Sequence, residues 1–158
     1  MPEHGGDYTQ VTVRIEDGVP WIGDRAFPWA SGVDVEDLDA GGYTWHTRRF
    51  RLTFENGWTL SIVFGSGNYC ANYDSDRRNQ AFREACPNAE VGAWNGDSGL
   101  LPWDDGDTVK GHVRAADLLT LVDSMMTWPS SGLPEGHVLT MNGPLAAALT
   151  GRSGAPDA

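Results

Sequence analysis

From residue 11 the chain alternates: Val11, Val13 and Ile15 are apolar, Thr12, Arg14 and Glu16 are polar, and Asp17-Gly18 ends the run. A period of two predicts a half-buried strand, and Asp-Gly predicts a turn. No period holds from Val19 to Tyr43, where two Pro, several Gly, two Trp and the acidic run Asp34-Val35-Glu36-Asp37-Leu38-Asp39 occur. That composition predicts a long loop with a short extended piece.

The clearest pattern runs from Arg48 to Phe64, two alternating stretches around Glu55-Asn56-Gly57. A two-residue Asn-Gly loop would pair Glu55 with Trp58 and set Phe54 opposite Thr59 and Leu52 opposite Ser61, scattering apolar side chains over both faces. A three-residue loop pairs Phe54 with Trp58, Leu52 with Leu60 and Phe50 with Ile62. One face is then wholly apolar, and the other carries Arg49, Arg51, Thr53, Thr59 and Ser61, so this register is expected. Gly57 takes the left-handed position of the bulged turn, where a side-chain carbon would be strained.

After Gly65-Ser66-Gly67 a polar segment leads to Asn88, with a short helix predicted from Ser75 to Cys86 and stopped by Pro87. Ala89–Trp94 and Thr108–Val113 read as strands separated by a Gly- and Asp-rich connection. Ala115, Leu118, Leu119, Val122, Met125 and Met126 recur at three- and four-residue spacing before Trp128-Pro129. They predict an amphipathic helix whose polar face holds Arg114, Asp117, Thr120, Asp123 and Ser124. A second, shorter helix is predicted from Pro144, with Leu145, Ala148 and Leu149 on one side and Gly151 at its end. The expected fold class is α+β: a single domain over residues 11–150, an antiparallel β-meander of about four to five strands covered by the amphipathic helix, plus the second short helix. Residues 1–10 are expected to be a flexible N-terminus, and residues 151–158 a disordered tail.

Composition narrows the function classes. The 158 residues suit one core. Eleven basic against 22 acidic residues give a net charge of −11, which opposes direct nucleic-acid binding because counterion release needs Lys and Arg. No apolar run approaches the roughly 20 residues of a membrane span, and Met1–Gln10 lacks the basic end and apolar segment of a signal peptide. A cytoplasmic protein without a membrane partner is expected. Cys70 and Cys86 form no disulfide framework, and a single bridge between them is left open.

Motifs for catalysis are weak. Gly96-Asp97-Ser98-Gly99 matches the tetrapeptide around the nucleophile of chymotrypsin-like proteases, but the chain is too short for two barrels, and a turn explains it more simply. Gly65-Ser66-Gly67 lacks the third glycine of a dinucleotide fingerprint. Cys70 with His46 or His112 as base is less expected than a buried thiol. Cys70, Cys86, His46 and His112 lack the close pairing of a structural zinc site, and Asp104-Asp105-Gly106-Asp107 lacks the alternating oxygens of a calcium loop. No catalytic residue, metal or cofactor is therefore assigned. The polar hairpin face is the better candidate: Arg49 and Arg51, with Asn68, Tyr69 and Trp94 from nearby segments and Arg77 and Arg78 close by, combine guanidinium forks with rings. Such a set can hold a phosphate and stack a base. The competing reading is a solvated face that offsets the acidity of the chain.

From Phe54 to Val113 the chain resembles small uncharacterised proteins of bacteriophages and actinobacterial mobile elements. The resemblance rests on Asn56-Gly57, Asn68-Tyr69-Cys70, Ala89-Glu90-Val91 with Trp94, and Asp107-Thr108-Val109-Lys110-Gly111. It implies a phage-type accessory protein and carries over no catalytic residue. In plan, a sheet followed by C-terminal helices is similar to the sponges that block Thoeris defence. The expected function is therefore non-catalytic: a counter-defence protein, expected as a homo-oligomer, that sequesters a nucleotide-derived immune signal at Arg49, Arg51, Asn68, Tyr69 and Trp94. The alternatives are an acidic inhibitor of a host protein or DNA mimic, and a virion or assembly component.

Overall fold

The computed structural model describes residues 11–39, 46–65 and 86–146. In chain order, β1 (Val13–Glu16), β2 (Val19–Ile22) and β3 (Arg25–Ala26) form a small antiparallel sheet. A five-stranded sheet follows, made of β4 (Ser31–Asp39), β5 (His46–Thr53), β6 (Trp58–Gly65), β7 (Asn88–Asn95) and β8 (Lys110–Arg114), with neighbours in sequence order and all pairs antiparallel. Helix α1 (Ala115–Met125) comes next, then the hairpin β9 (His137–Thr140) and β10 (Gly143–Ala146). The described residues are thus mostly antiparallel β, with one helix.

The β5–β6 hairpin takes the three-residue loop. Phe50 pairs with Ile62 and Leu52 with Leu60, and the Phe54 N–H donates to the Trp58 carbonyl at 2.8 Å. Gly57 sits at φ 90°, the left-handed conformation the loop requires. Parity decides this register: Phe50, Leu52, Phe54, Trp58, Leu60 and Ile62 are all buried on the same side.

The predicted loop from Val19 to Tyr43 is corrected by β2, β3 and β4. Asp17 at φ 54° and Gly18 at φ 78° form a two-residue turn whose twist returns the chain directly, pairing Glu16 with Val19. Pro20 is tolerated in β2, where its carbonyl accepts the Phe27 N–H at 2.8 Å. The acidic run lies in β4, and the register sets the Asp34, Glu36 and Asp37 positions across from Arg51, Arg49 and Arg48. Opposite charges at facing positions favour this register over its one-residue slips.

The second helix from Pro144 is also corrected: Gly143–Ala146 is β10, paired with β9. The Thr140 hydroxyl fastens their turn, donating to the Gly143 carbonyl at 2.7 Å and accepting the Asn142 N–H at 3.1 Å. The predicted helix from Ser75 to Cys86 falls outside the described residues except for Cys86, which is buried and bridges Val11 in an antiparallel contact.

One core joins these elements. Helix α1 contributes Ala115, Leu118, Leu121, Val122 and Met125; Leu119 is only partly buried and Met126 is exposed, so its apolar stripe is rotated toward Leu121 relative to the sequence pattern. Trp58 and Trp128 meet edge to face with ring centroids 4.9 Å apart, a favoured aromatic geometry. The hairpin tip also closes the C-terminal end of α1, where the last carbonyls lack intrahelical partners. Asn56 Nδ2 donates to the Met125 carbonyl at 2.8 Å and to the Trp128 carbonyl at 3.1 Å, and Trp58 Nε1 donates to the Pro129 carbonyl at 2.8 Å. Arg48 ties the small sheet to the large one by donating to the Val13 carbonyl at 3.3 Å. Among the described residues no helix is long and apolar enough to cross a membrane.

Candidate functional site

The face of the large sheet turned away from α1 is organised in rows by the strand registers. One row is Arg51, Ser61 and Gly92, the next is Thr53, Thr59 and Trp94, and the row on the other side is Arg49, Val63 and Glu90. Strands lie about 4.8 Å apart and residues two positions apart on one strand lie about 6.7 Å apart. Arg49 and Arg51 therefore stand side by side on β5, and Trp94 stands two strands away.

The wall of the site comes from the connection after β7. Gly92 is buried, and a Cβ placed on it would lie 2.6 Å from Leu100 Cδ2, so the missing side chain is what lets Leu100 lie against the sheet. The Leu101 N–H donates to the Ala93 carbonyl at 3.0 Å and holds the connection to β7. Between them is a tight turn: Gly96 sits at φ 56°, the Ser98 N–H donates to the Asn95 carbonyl at 3.0 Å, and the Asn95 N–H donates to Ser98 Oγ at 3.1 Å. Arg49, Arg51, Ser61, Trp94, Gly96, Asp97, Gly99 and Leu100 enclose an open groove of about 460 Å³. The three named side chains that would act on a ligand, Arg49, Arg51 and Trp94, are each half-buried.

Of the five residues predicted from sequence, the structure brings Arg49, Arg51 and Trp94 to one groove. Asn68 and Tyr69, together with Arg77 and Arg78, lie outside the described residues. Asp97 and Leu100 were not anticipated as part of the site. Gly92 inside a strand was the available signal, because a glycine there often marks close approach by another segment.

The rejected chemistries sit as follows. Ser98 of the Gly-Asp-Ser-Gly motif donates its hydroxyl to the Gly99 carbonyl at 2.8 Å while accepting from Asn95, which makes it a turn residue. Asp104–Asp107 is likewise a turn, with the Asp107 N–H bonded to Asp105 Oδ1 at 2.9 Å. Among the described residues no three His, Cys, Asp or Glu side chains gather as a metal site.

Two smaller hollows compete with the groove. One of about 260 Å³ is lined by Trp29, Phe54 and Met126 with Glu55 and Asn56. Another, of about 380 Å³, is lined by Lys110, His112, Asp117, Thr120 and Asn142 among others. His112 occupies the left-handed region at φ 56°, where β8 bulges against β7. The charged groups of this hollow are engaged locally, Lys110 with Asp104 at 3.6 Å and Asp117 with Arg114 at 3.0 Å. Neither hollow combines two guanidinium groups with an indole. Comparison of the chain with family models, with curated proteins and with solved structures finds no match in any of the three.

Proposed function

We propose that this chain works by noncovalent binding, and that its groove takes a nucleotide-derived small molecule. One observation carries the reading: Arg49, Arg51 and Trp94 line the same open groove. A guanidinium has five N–H donors, so each Arg can face the acidic position across the strand pair and still present donors to a phosphate. An indole supplies a stacking surface for a base. The resemblance to phage and mobile-element proteins gives such binding a purpose, the withdrawal of a nucleotide-derived defence signal from the host. In that role the protein is an accessory factor without catalytic residues, acting as a homo-oligomer.

Mimicry of DNA has less support. The positions of the acidic run pair in register with Arg51, Arg49 and Arg48 of β5, whereas a mimic calls for a run of acidic positions without basic ones opposite.

The test is a titration of the full chain with ADP, read by tryptophan fluorescence and calorimetry, with the Arg49→Ala/Arg51→Ala double variant beside it. Quenching and saturable heat that fall at least tenfold in affinity in the variant are expected. Absence of binding, or binding that the double variant leaves unchanged, overturns the reading.

A further inference from the structure

The hollow between the tip of the β5–β6 hairpin and the end of α1 has a chemistry of its own. Trp29, Phe54, Glu55, Asn56 and Met126 line its volume of about 260 Å³. The Trp29 and Phe54 rings meet with centroids 5.2 Å apart and planes tilted by 46°, so two adjoining walls are aromatic. Trp29 is half-buried and Phe54 buried, which leaves Trp29 the larger ring surface. Asn56 turns both ends of its amide toward the chain, Nδ2 to the Met125 and Trp128 carbonyls and Oδ1 to the Trp58 N–H at 3.3 Å. Glu55 is exposed, and among the described residues no ion pair engages it. Met126 ends α1, so the hollow lies at the negative end of the helix dipole, and the last turn of the helix holds no basic residue.

Elsewhere in the molecule the same parts hold a cation. Arg14 lies over the Trp21 ring at 4.5 Å and pairs with Glu16 at 3.4 Å. Arg25 lies over the Phe27 ring at 5.1 Å and donates to Asp123 Oδ2 at 3.1 Å. Lys110 lies 5.9 Å from the centre of the Trp103 ring and pairs with Asp104 at 3.6 Å. In each set a ring face and a carboxylate attract one positive group. Trp29, Phe54 and Glu55 supply rings and a carboxylate, and among the described residues no basic side chain lines their hollow. A cation carried by a ligand would complete the set. The lining also decides its kind. A primary ammonium has three N–H donors and a guanidinium five, whereas two rings and a thioether offer no strong acceptor and Asn56 Oδ1 is already engaged. Donors pressed against those walls lose water without gaining a partner. A quaternary ammonium has no N–H to satisfy, and its methyl groups match rings and thioether alike.

We infer that this hollow is a binding site for a quaternary ammonium head group, held against the Trp29 and Phe54 rings and attracted by Glu55. It stands apart from the nucleotide reading, because the hollow and the groove share no lining residue.

The experiment titrates the full chain with choline and with neohexanol, the uncharged compound that has carbon in place of the choline nitrogen, following the indole N–H signals by NMR. Choline is expected to bind at least about fivefold more tightly, the size of a partly exposed cation–ring contact. Added salt narrows that gap, because the attraction of an exposed carboxylate is screened. Glu55→Gln weakens choline about two- to threefold and leaves neohexanol unchanged. Trp29→Leu brings the two probes to equal affinity, while Trp29→Phe, which keeps a ring, preserves part of the preference. The Arg49→Ala/Arg51→Ala double variant binds choline as the wild-type chain does. Equal affinity for the two probes in the wild-type chain overturns the inference and leaves a general apolar hollow. Failure of choline to bind overturns it too, as does a preference that Glu55→Gln and Trp29→Leu both leave intact. Glu55 is exposed on a turn, so its variant should unfold like the wild-type chain and decides the matter if Trp29→Leu does not fold.

Discussion

The two faces of the large sheet share one hydrogen-bond ladder and differ in what lies over them. Over one face, Phe50, Leu52, Leu60, Ile62 and Val91 join a core closed by Leu118, Leu121, Val122 and Met125 of the helix and by Trp128. Over the other, the cover among the described residues is the Asn95–Leu100 connection, and Leu100 remains 45% exposed. Burial of apolar area is the main stabilising term in folding. The first face therefore carries most of the stability of the domain, and on the second Arg49, Arg51, Val63 and Trp94 are only half-buried.

The sharpest way to break the contrast is Trp58→Ala. It removes a fully buried indole, its edge-to-face contact with Trp128 and its bond to Pro129, so a loss of about 3–5 kcal/mol in denaturant unfolding is expected. Asn56→Ala comes next, at about 1–3 kcal/mol, since the Trp128 carbonyl loses the Asn56 donor and the Met125 carbonyl is left with the Trp128 N–H at 3.2 Å. Asn56→Asp adds a sign test. An ionised Asp cannot donate to those carbonyls and places negative charge at the negative end of the helix dipole. Its unfolding midpoint should fall as pH rises through the carboxylate range and recover on acidification. On the open face, Gly92→Ala should cost about 1 kcal/mol or less: the Cβ clashes with the end of the Leu100 side chain, which can turn outward, and reaches the Thr108 carbonyl oxygen only at an ordinary contact of 3.6 Å. The same change alters the groove wall, so a shift in ADP affinity larger than the shift in stability is expected. Arg51→Ala should move stability least, within about 1 kcal/mol, while weakening ADP binding.

The sequence made the buried face easier to read than the open one. Phe50, Leu52 and Phe54 on one strand and Trp58, Leu60 and Ile62 on the other permit only one register that buries them together, so the hairpin follows from parity. The helix was legible in position, but its orientation was legible only in part: Leu121 lies beside the predicted stripe, and packing rather than periodicity chose it over Met126. The strands at residues 19–39 were hidden by Pro20, several glycines and an acidic run, each a local signal against a strand. Their strand state depends on partners elsewhere: β4 follows from the basic positions of β5, which no window over the acidic run contains. At Pro144 the first-turn preference of proline pointed to a helix, while the β9 partner and the Thr140 turn gave a strand. In the site, Arg49 and Arg51 were legible because strand parity put them on one face, whereas Trp94 was expected only as a neighbour from a nearby segment, and its place on the same face follows from the β6–β7 register. Asp97 was not, since its place depends on how a loop folds back over Gly92.

The clasp between hairpin tip and helix end bears on the order of events during folding. The hairpin pairs residues close in sequence, whereas the bonds from Asn56 and Trp58 to Met125, Trp128 and Pro129 join positions 69 to 72 residues apart. Closing so long a loop carries an entropic cost before its contacts reward it, which favours late formation. Interactions made after the rate-limiting barrier act on the reverse rate. The clasp is therefore a brake on unfolding: it sets how long the native domain persists, while the speed at which the chain first finds its fold is decided by the hairpin and the sheet around it.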